Sequence, residues 1–194
     1  AKLFMEFYSP DKGHIYVDGA ELQNFEVQEI RKAVVYVSQE DFLFTASVRE
    51  NLKMGNEEIS DEEMIEISRK MGVHQFVSKM EREYDSVLEE RGKNLSKGQR
   101  QKLSLTRAIL RHPKILILDE ATSNMDSISE REILNYIKGI RDITLILISH
   151  RINVIADSDC IYVLQKGNIV ARGTDEQLKE QCELYRQLYG EEEK

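Results

Sequence analysis

The chain has 194 residues, enough to bury one core or one core carrying an inserted lobe. Hydrophobic residues make up 41% and charged residues 32%, a balance that excludes a disordered or membrane-embedded chain. The formal charge of −8 argues against a general nucleic-acid binder, which clusters lysine and arginine against phosphates, but it leaves a local anion site open.

Two cysteines, Cys160 and Cys182, have no paired spacing and no neighbouring histidine to complete a metal site, so they read as free thiols of a reducing compartment. No stretch reads as a signal peptide, and the apolar runs are too short to cross a bilayer.

In chain order, AVVYVS (33–38) comes first. β-Branched and apolar on both faces, it predicts a strand of a sheet covered on both sides, hence parallel and flanked by helices. From about Val48 to Leu110 the pattern is helical with no convincing strand, which predicts a helical lobe inserted between two strands. Inside that lobe, Ser60-x-x-Glu63 is a capping box ahead of Met64, Ile67 and Met71, and Gly72 stops the helix. Ser96-x-x-Gln99, within LSKGQRQ (95–101), has the form of a second capping box. KILIL (114–118) and ITLILIS (143–149) are again wholly apolar strands. Between them Ser127-x-x-Glu130 opens a helix carrying Ile133, Leu134 and Ile137 and closing near Gly139. CIYVLQ (160–165) is a fourth apolar run, KGNIVARG (166–173) a turn and returning strand, and Thr174-x-x-Gln177 begins a last helix. Pro10 and Pro113 each sit at an element boundary. Strands alternating with helices make the fold α/β.

Ligands of open α/β sheets bind beyond the carboxyl ends of the strands, and three of these runs finish on residues able to do chemistry. Gln39 follows VVYVS, Asp119 and Glu120 follow ILIL, and His150 follows TLILIS. Taken singly, each has a plainer reading: a solvated amide, a turn or helix-start pair, a structural histidine. Together they fit phosphoryl chemistry, in which one carboxylate holds Mg²⁺, a second acts as base toward water, an amide ligates or orients, and an imidazole contacts a phosphate oxygen. The start of the LSKGQRQ helix is open in the same way: Ser96 and Gln99 can close on their own backbone, or the unpaired N–H groups and the approachable backbone at Gly98 can face a phosphate.

Four motifs then agree in order. VVYVSQED, LSKGQRQ, KILILDEATSNMDS and LILISHR resemble the Q-loop, the signature, the Walker B strand with its D-loop, and the switch histidine of ATP-binding cassette (ABC) ATPases. FLFTASVRENL (42–52), EERG (89–92) and the opening FYSPDKGHIYVDG (7–19), a hairpin region, look like the exporter branch, where the first two segments face the coupling helices of a membrane domain. The resemblance covers essentially the whole chain. It implies a P-loop NTPase-like (RecA-like) fold, a mainly parallel sheet with an inserted α-helical subdomain: residues 1–47 and 112–194 form the ATPase core, and residues 48–111 form the helical subdomain ending in the signature helix. It also implies ATP and Mg²⁺ as ligands. Asp119 would hold Mg²⁺ through water, Glu120 would polarise the attacking water, Gln39 would complete the metal shell, and His150 would contact the γ-phosphate. Ser96, Lys97, Gly98 and Gln99 form the signature segment that clasps a nucleotide bound mainly to an opposing subunit, and Asp126 would lie across that interface. The partners implied are the transmembrane domain of an ABC transporter and a second nucleotide-binding domain, with no nucleic acid. The place implied is the cytoplasmic face of a membrane, with this chain itself soluble.

Two departures stand beside the resemblance. The phosphate loop G-x-x-x-x-G-K-[ST] does not occur in the 194 residues: only Gly92-Lys93 offers a Gly-Lys step, with Val87 at the first glycine position and Asn94 at the hydroxyl position. AKLFMEFYSP resembles the helix that follows that loop, so the expectation is a chain beginning just after it and hydrolysing ATP poorly or not at all as it stands. Lys97 occupies a place where the family usually has a second glycine; its charge favours phosphate while its side chain can crowd a close backbone approach. Two other functions fit the motifs less well. Soluble repair or translation ATPases carry coiled-coil insertions or basic surfaces absent here, and a non-catalytic module would present only its signature face to a partner's ATP.

Overall fold

The computed structural model describes residues 3–39 and 42–192, in two compact units, one running to Ile146 and the other beginning at Leu147. Glu40 and Asp41 of VVYVSQED, and Ala1 and Lys2 of the opening stretch, lie outside the described residues.

The first unit opens differently from the helix its sequence suggests. Residues 3–8 form turns: Glu6 N–H donates to the Leu3 carbonyl at 3.1 Å and Glu6 then takes φ 54°, a left-handed step that no α-helix continues through. The expected hairpin follows, β1 (Tyr16–Val17) antiparallel to β2 (Ala20–Glu21). Asp18 and Gly19 between them sit at φ 50° and 81°, the two positive angles that a type I′ turn requires. Helix α1 (Val27–Ala33), whose Glu29 carboxylate accepts the Glu26 N–H at 3.3 Å, leads directly into β3 (Val34–Ser38).

Between β3 and the next strand lie helices α2 (Val48–Lys53), α3 (Asp61–Lys70), α4 (His74–Val77) and α5 (Lys97–Leu110), the inserted lobe that the patterning indicates. Ser60 caps α3, Met64, Ile67 and Met71 are buried, and Gly72 leaves at φ 69°. Strand β4 (Ile115–Asp119) then runs parallel to β3 in the register Tyr36↔Ile117 and Ser38↔Asp119. Helix α6 (Ser127–Lys138) buries Ile133, Leu134 and Ile137 as expected, but its N-cap is Asp126, not Ser127. The Asp126 carboxylate reaches the Ser129 N–H at 2.9 Å, and an ionised acceptor is at least as good a cap as the hydroxyl one residue later. Strand β5 (Thr144–Ile148) completes the sheet in the order β3-β4-β5.

Coverage differs across that sheet. β4 is buried on both faces, with Leu116, Ile117 and Leu118 at most 2% exposed, whereas β5 alternates and leaves Ile146 and Ile148 each 39% exposed. β5 has β4 as its sheet neighbour on one side only among the described residues, so its wholly apolar run is not the double coverage its composition predicts.

In the second unit, α7 (Ile152–Ile155) is followed by β6 (Ile161–Gln165) and β7 (Asn168–Gly173), then α8 (Asp175–Gln181) and α9 (Glu183–Glu192). The fourth apolar run therefore makes a strand, but an antiparallel hairpin partner of β7 and not a member of the β3-β4-β5 sheet. Ile161 and Val163 turn inward onto Ile152, Leu178, Cys182 and Tyr185, while Tyr162 and Leu164 face out, an alternation that reflects one covered face. Thr174 and Gln177 cap α8 reciprocally, and both cysteines are free thiols. Among the described residues no helix is long and apolar enough to cross a membrane.

One buried polar side chain organises the start of the lobe. Asn51, fully buried, accepts the Phe44 N–H at 2.9 Å and donates to the carbonyls of Phe44 and Ser47, each at 3.0 Å. It satisfies a non-regular stretch that has no ladder of its own. Asn51→Ala leaves the Phe44 N–H unpaired, while the carbonyls of Phe44 and Ser47 keep the N–H groups of Ala46 and of residue 51, and it is expected to lower the unfolding free energy by about 2 kcal/mol. Denaturant titration of wild type and variant reads this directly, and a shared midpoint would refute the role.

Candidate functional site

The buried β4 delivers its last residue, Asp119, half-exposed, to the carboxyl end of the sheet. The parallel register sets Ser38 beside it, and Tyr36, two residues back on β3, donates its phenol to Asp119 Oδ2 at 2.7 Å. Burial first, then the hydrogen bond and charge of Asp119, push the Tyr36 phenol up to about 12. Tyr36 was not among the residues the sequence picks out. Its one signal is a hydroxyl inside an otherwise aliphatic run, two places before the strand end. The bond fixes the rotation of the Asp119 carboxylate and leaves Oδ1 as a hard oxygen donor. That suits Mg²⁺, which takes one or two carboxylates and fills its octahedron with water and nucleotide phosphates.

Glu120 is the next residue, and it stands at φ 54°. A left-handed non-glycine residue costs roughly 1–2 kcal/mol and persists where its surroundings hold it. Here the bend takes the chain sharply off the strand axis. Ser123 N–H returns to the Glu120 carbonyl at 3.3 Å and Met125 N–H to that of Thr122 at 3.1 Å, two turns that carry the chain to Asp126. Gln39, exposed, directly follows Ser38, so Gln39 and Glu120 leave adjacent strands at the same end. His150, also exposed, follows β5 in the second unit, just before Arg151, whose N–H donates to Ser149 Oγ at 2.9 Å.

The start of α5 carries a second group of candidate residues within the first unit. Ser96 Oγ accepts the Gln99 N–H at 3.2 Å and Gln99 Oε1 accepts the Ser96 N–H at 2.9 Å, a closed capping box. Lys97 and Gly98, the first two helical residues, keep N–H groups that have no intrahelical acceptor. These residues line a groove of about 550 Å³ together with Asn124, Met125 and Asp126 from the loop after β4, with Phe76 of α4 and with Lys79 just after it. The structure thus brings Ser96, Lys97, Gly98, Gln99 and Asp126 to one groove. Lys79, Lys97 and Lys102 border it, against the single carboxylate of Asp126, which the Ser129 N–H holds below the usual carboxylate range.

The two segments that mark the exporter branch also meet. Ser47 and Val87 form an isolated bridge, Val48 N–H donates to the Ser86 carbonyl at 3.0 Å and Leu88 N–H to that of Ala46 at 2.9 Å. Beside this seam Phe42 and Phe44 stack edge-to-face at 4.8 Å and remain 54% and 40% exposed, with Val87 at 60%.

A family model described as "ABC transporter" matches residues 1–123, more than half of the chain. The chain belongs to the ABC transporter family. It is 42% identical over 182 residues to the heterocyst differentiation ATP-binding protein HepA of Nostoc sp., covering 93% of this chain and 30% of that protein. It is 39% identical over 194 residues to the leptomycin B resistance protein pmd1 of Schizosaccharomyces pombe, covering 98% of this chain and 14% of the relative. A bacterial Atm1-family ABC exporter solved with ATP bound superposes with a TM-score of 0.94 at 30% identity, over 98% of this chain and 34% of that one. The chain therefore spans about a third or less of the length of these relatives. As an ABC ATPase chain it has the P-loop NTPase-type fold, and its relatives are ATP-binding proteins of exporters.

In this ABC chain the Tyr36–Asp119 bond has a titration signature. A phenol raised in the fold stabilises the protein below the ordinary tyrosine range and loses that contribution as pH climbs from about 10 through about 12. Burial also raises Tyr84 and Tyr136, so phenolate absorbance is expected to show late-titrating tyrosines, of which Tyr36→Phe removes the component near 12 and Asp119→Asn shifts it back toward the ordinary range. A titration unchanged by Tyr36→Phe would disprove the assignment.

Proposed function

We propose that this chain is part of the ATP-hydrolysing motor domain of an ABC exporter, and that Asp119, Glu120, Gln39, His150, the signature residues 96–99 and Asp126 carry the roles their motifs imply. The observation that carries the reading is the shared groove, in which the Ser96–Gln99 helix start and Asp126 face the same space. A helix N-terminus bordered by three lysines suits the terminal phosphate of a nucleotide whose other end is held by a second subunit.

In this reading ATP lies between two such domains, each supplying one face. Glu120 orients and deprotonates the attacking water, held off the strand by its left-handed backbone. Asp119, its carboxylate fixed by Tyr36, together with Gln39, would hold Mg²⁺, which when bound neutralises charge on the transferring phosphoryl group. His150 contacts the γ-phosphate, and the signature of the opposing subunit closes over it. Closing and reopening of the pair move the transmembrane partner. The Phe42–Phe44–Val87 patch supports that partnership, being an exposed apolar surface at the seam of the two exporter-like segments.

The test of the base is Glu120→Gln in a form of the protein that carries a G-x-x-x-x-G-K-[ST] loop. The expected result is a loss of turnover of about 10²–10³-fold and accumulation of an ATP-bound closed dimer, measured as ATPase rate and as dimer on size exclusion. Turnover equal to wild type would remove Glu120 from the role.

The polypeptide of these 194 residues contains no G-x-x-x-x-G-K-[ST] sequence, so by itself it is expected to give no detectable heat when Mg-ATP is titrated into it. Saturable binding would mean that the phosphates are held by other groups of this chain.

A further inference from the structure

Asn124, in the loop between Glu120 and Asp126, is addressed at both of its backbone polar groups by α5. Its N–H donates to Gln101 Oε1 at 3.0 Å, and its carbonyl oxygen lies 3.1 Å from the position a Cβ on Gly98 would occupy. Gly98 and Gln101 are three residues apart and so share one face of the helix. A second tie runs from Lys102 Nζ to Ser129 Oγ at 2.9 Å, across to the first turn of α6.

Gln101 is an expensive residue for packing alone. It is 0% exposed, and its Nε2 has no hydrogen-bond partner among the described residues. A buried amide donor left unpaired costs stability that methionine or leucine of similar volume would not. What glutamine supplies in return is the acceptor that holds Asn124. The loop it holds is the pair of turns running back to Glu120 through the Ser123 and Met125 N–H bonds and forward to the Asp126 cap.

We propose that Gln101 is a positioning residue for ATP hydrolysis: it locks the loop 121–126 to α5, so that the signature end of the helix, Asp126 and the bend at Glu120 move as one piece. Seating a phosphate at Ser96–Gln99 is thereby felt at Glu120 of the same subunit through Asn124. The inference rests on the motor-domain reading above and adds to it a role for Gln101, the last residue of the LSKGQRQ segment, to which that reading assigns none.

The experiment uses a form of the protein that carries a G-x-x-x-x-G-K-[ST] loop and hydrolyses ATP, and compares wild type, Gln101→Met, which keeps volume and removes the acceptor, and Gln101→Glu, which keeps an acceptor oxygen. Gln101→Met is expected to lower kcat about tenfold with KM for ATP within about twofold of wild type, and Gln101→Glu to recover at least about half of the lost kcat. Hydrogen exchange at the Asn124 amide is expected to be at least about tenfold faster in Gln101→Met. A purely structural role would instead lower the unfolding midpoint and leave kcat per folded molecule unchanged. Gln101→Leu replaces Gln101→Met if the latter does not fold. Wild-type kcat in the acceptor-less variant, unchanged Asn124 exchange, or no recovery in Gln101→Glu each overturns the inference while the wild type still hydrolyses ATP. A loop-bearing wild type that neither binds nor hydrolyses ATP overturns the motor-domain reading and the inference with it.

Discussion

The rest of the molecule depends on the burial of β4 in parallel register with β3. Leu116, Ile117 and Leu118 are sealed on both faces, and a strand so held leaves its carboxyl end as a rigid point from which chemistry can project. Asp119, Glu120 and the loop to Asp126 all start there. A parallel pair cannot be joined by a hairpin and needs a crossover. Here the crossover carries the whole helical lobe, and its final helix, α5, ends five residues before β4 begins. The helix whose start bears the signature is therefore fixed, at its other end, to the strand that bears the carboxylates.

That connection explains why polar contacts are concentrated where the lobe meets the core. Tyr36 fixes Asp119, Gln101 fixes Asn124, Asn51 fixes Phe44, and Lys102 reaches Ser129. Gln101 and Asn51 each pair a helix side chain with a loop backbone group, whereas Tyr36–Asp119 ties two strands and Lys102–Ser129 two helices at the ends from which the loops depart. Apolar packing is tolerant of small rotations, whereas a buried hydrogen bond is directional and loses its value when misaligned. Polar contacts at these junctions specify the angle at which the loops leave the core, and the loops carry the candidate chemistry.

Much of this was legible as pattern and little of it as partnership. The runs at β3 and β4, the caps of α3, α5 and α8, and the lobe between two strands follow from local chemistry: side-chain period, reciprocal Ser/Thr–Glu/Gln bonding, a glycine at positive φ. The two errors about strands share one cause. An apolar run announces a strand but not its neighbours, so β6 was expected in the main sheet and β5 was expected to be covered on both faces. The α6 cap was placed at Ser127 because the S-x-x-E spacing is a valid signal, yet Asp126 is a stronger acceptor one residue earlier. Tyr36 and Gln101 were invisible because their bonds join residues far apart in the chain, 83 and 23 positions respectively, and no local spacing encodes them.

The signature segment shows how geometry can sort two positions that sequence treats alike. The family usually has glycine at both places held here by Lys97 and Gly98. At Gly98 a Cβ would press on the Asn124 carbonyl at 3.1 Å, tighter than side chains normally approach, so a side chain there would push the loop back by a few tenths of an ångström. Lys97 is exposed at the first helical turn, and its side chain opens onto the groove without displacing the loop. The glycine that is kept is the one on which the internal packing of α5 against Asn124 depends. The one replaced faces outward, where a lysine adds positive charge to a groove already bordered by Lys79 and Lys102. Any steric cost of Lys97 therefore falls on what docks against the groove and not on the stability of the domain, while its charge acts on the same docking event in the favourable direction for a phosphate.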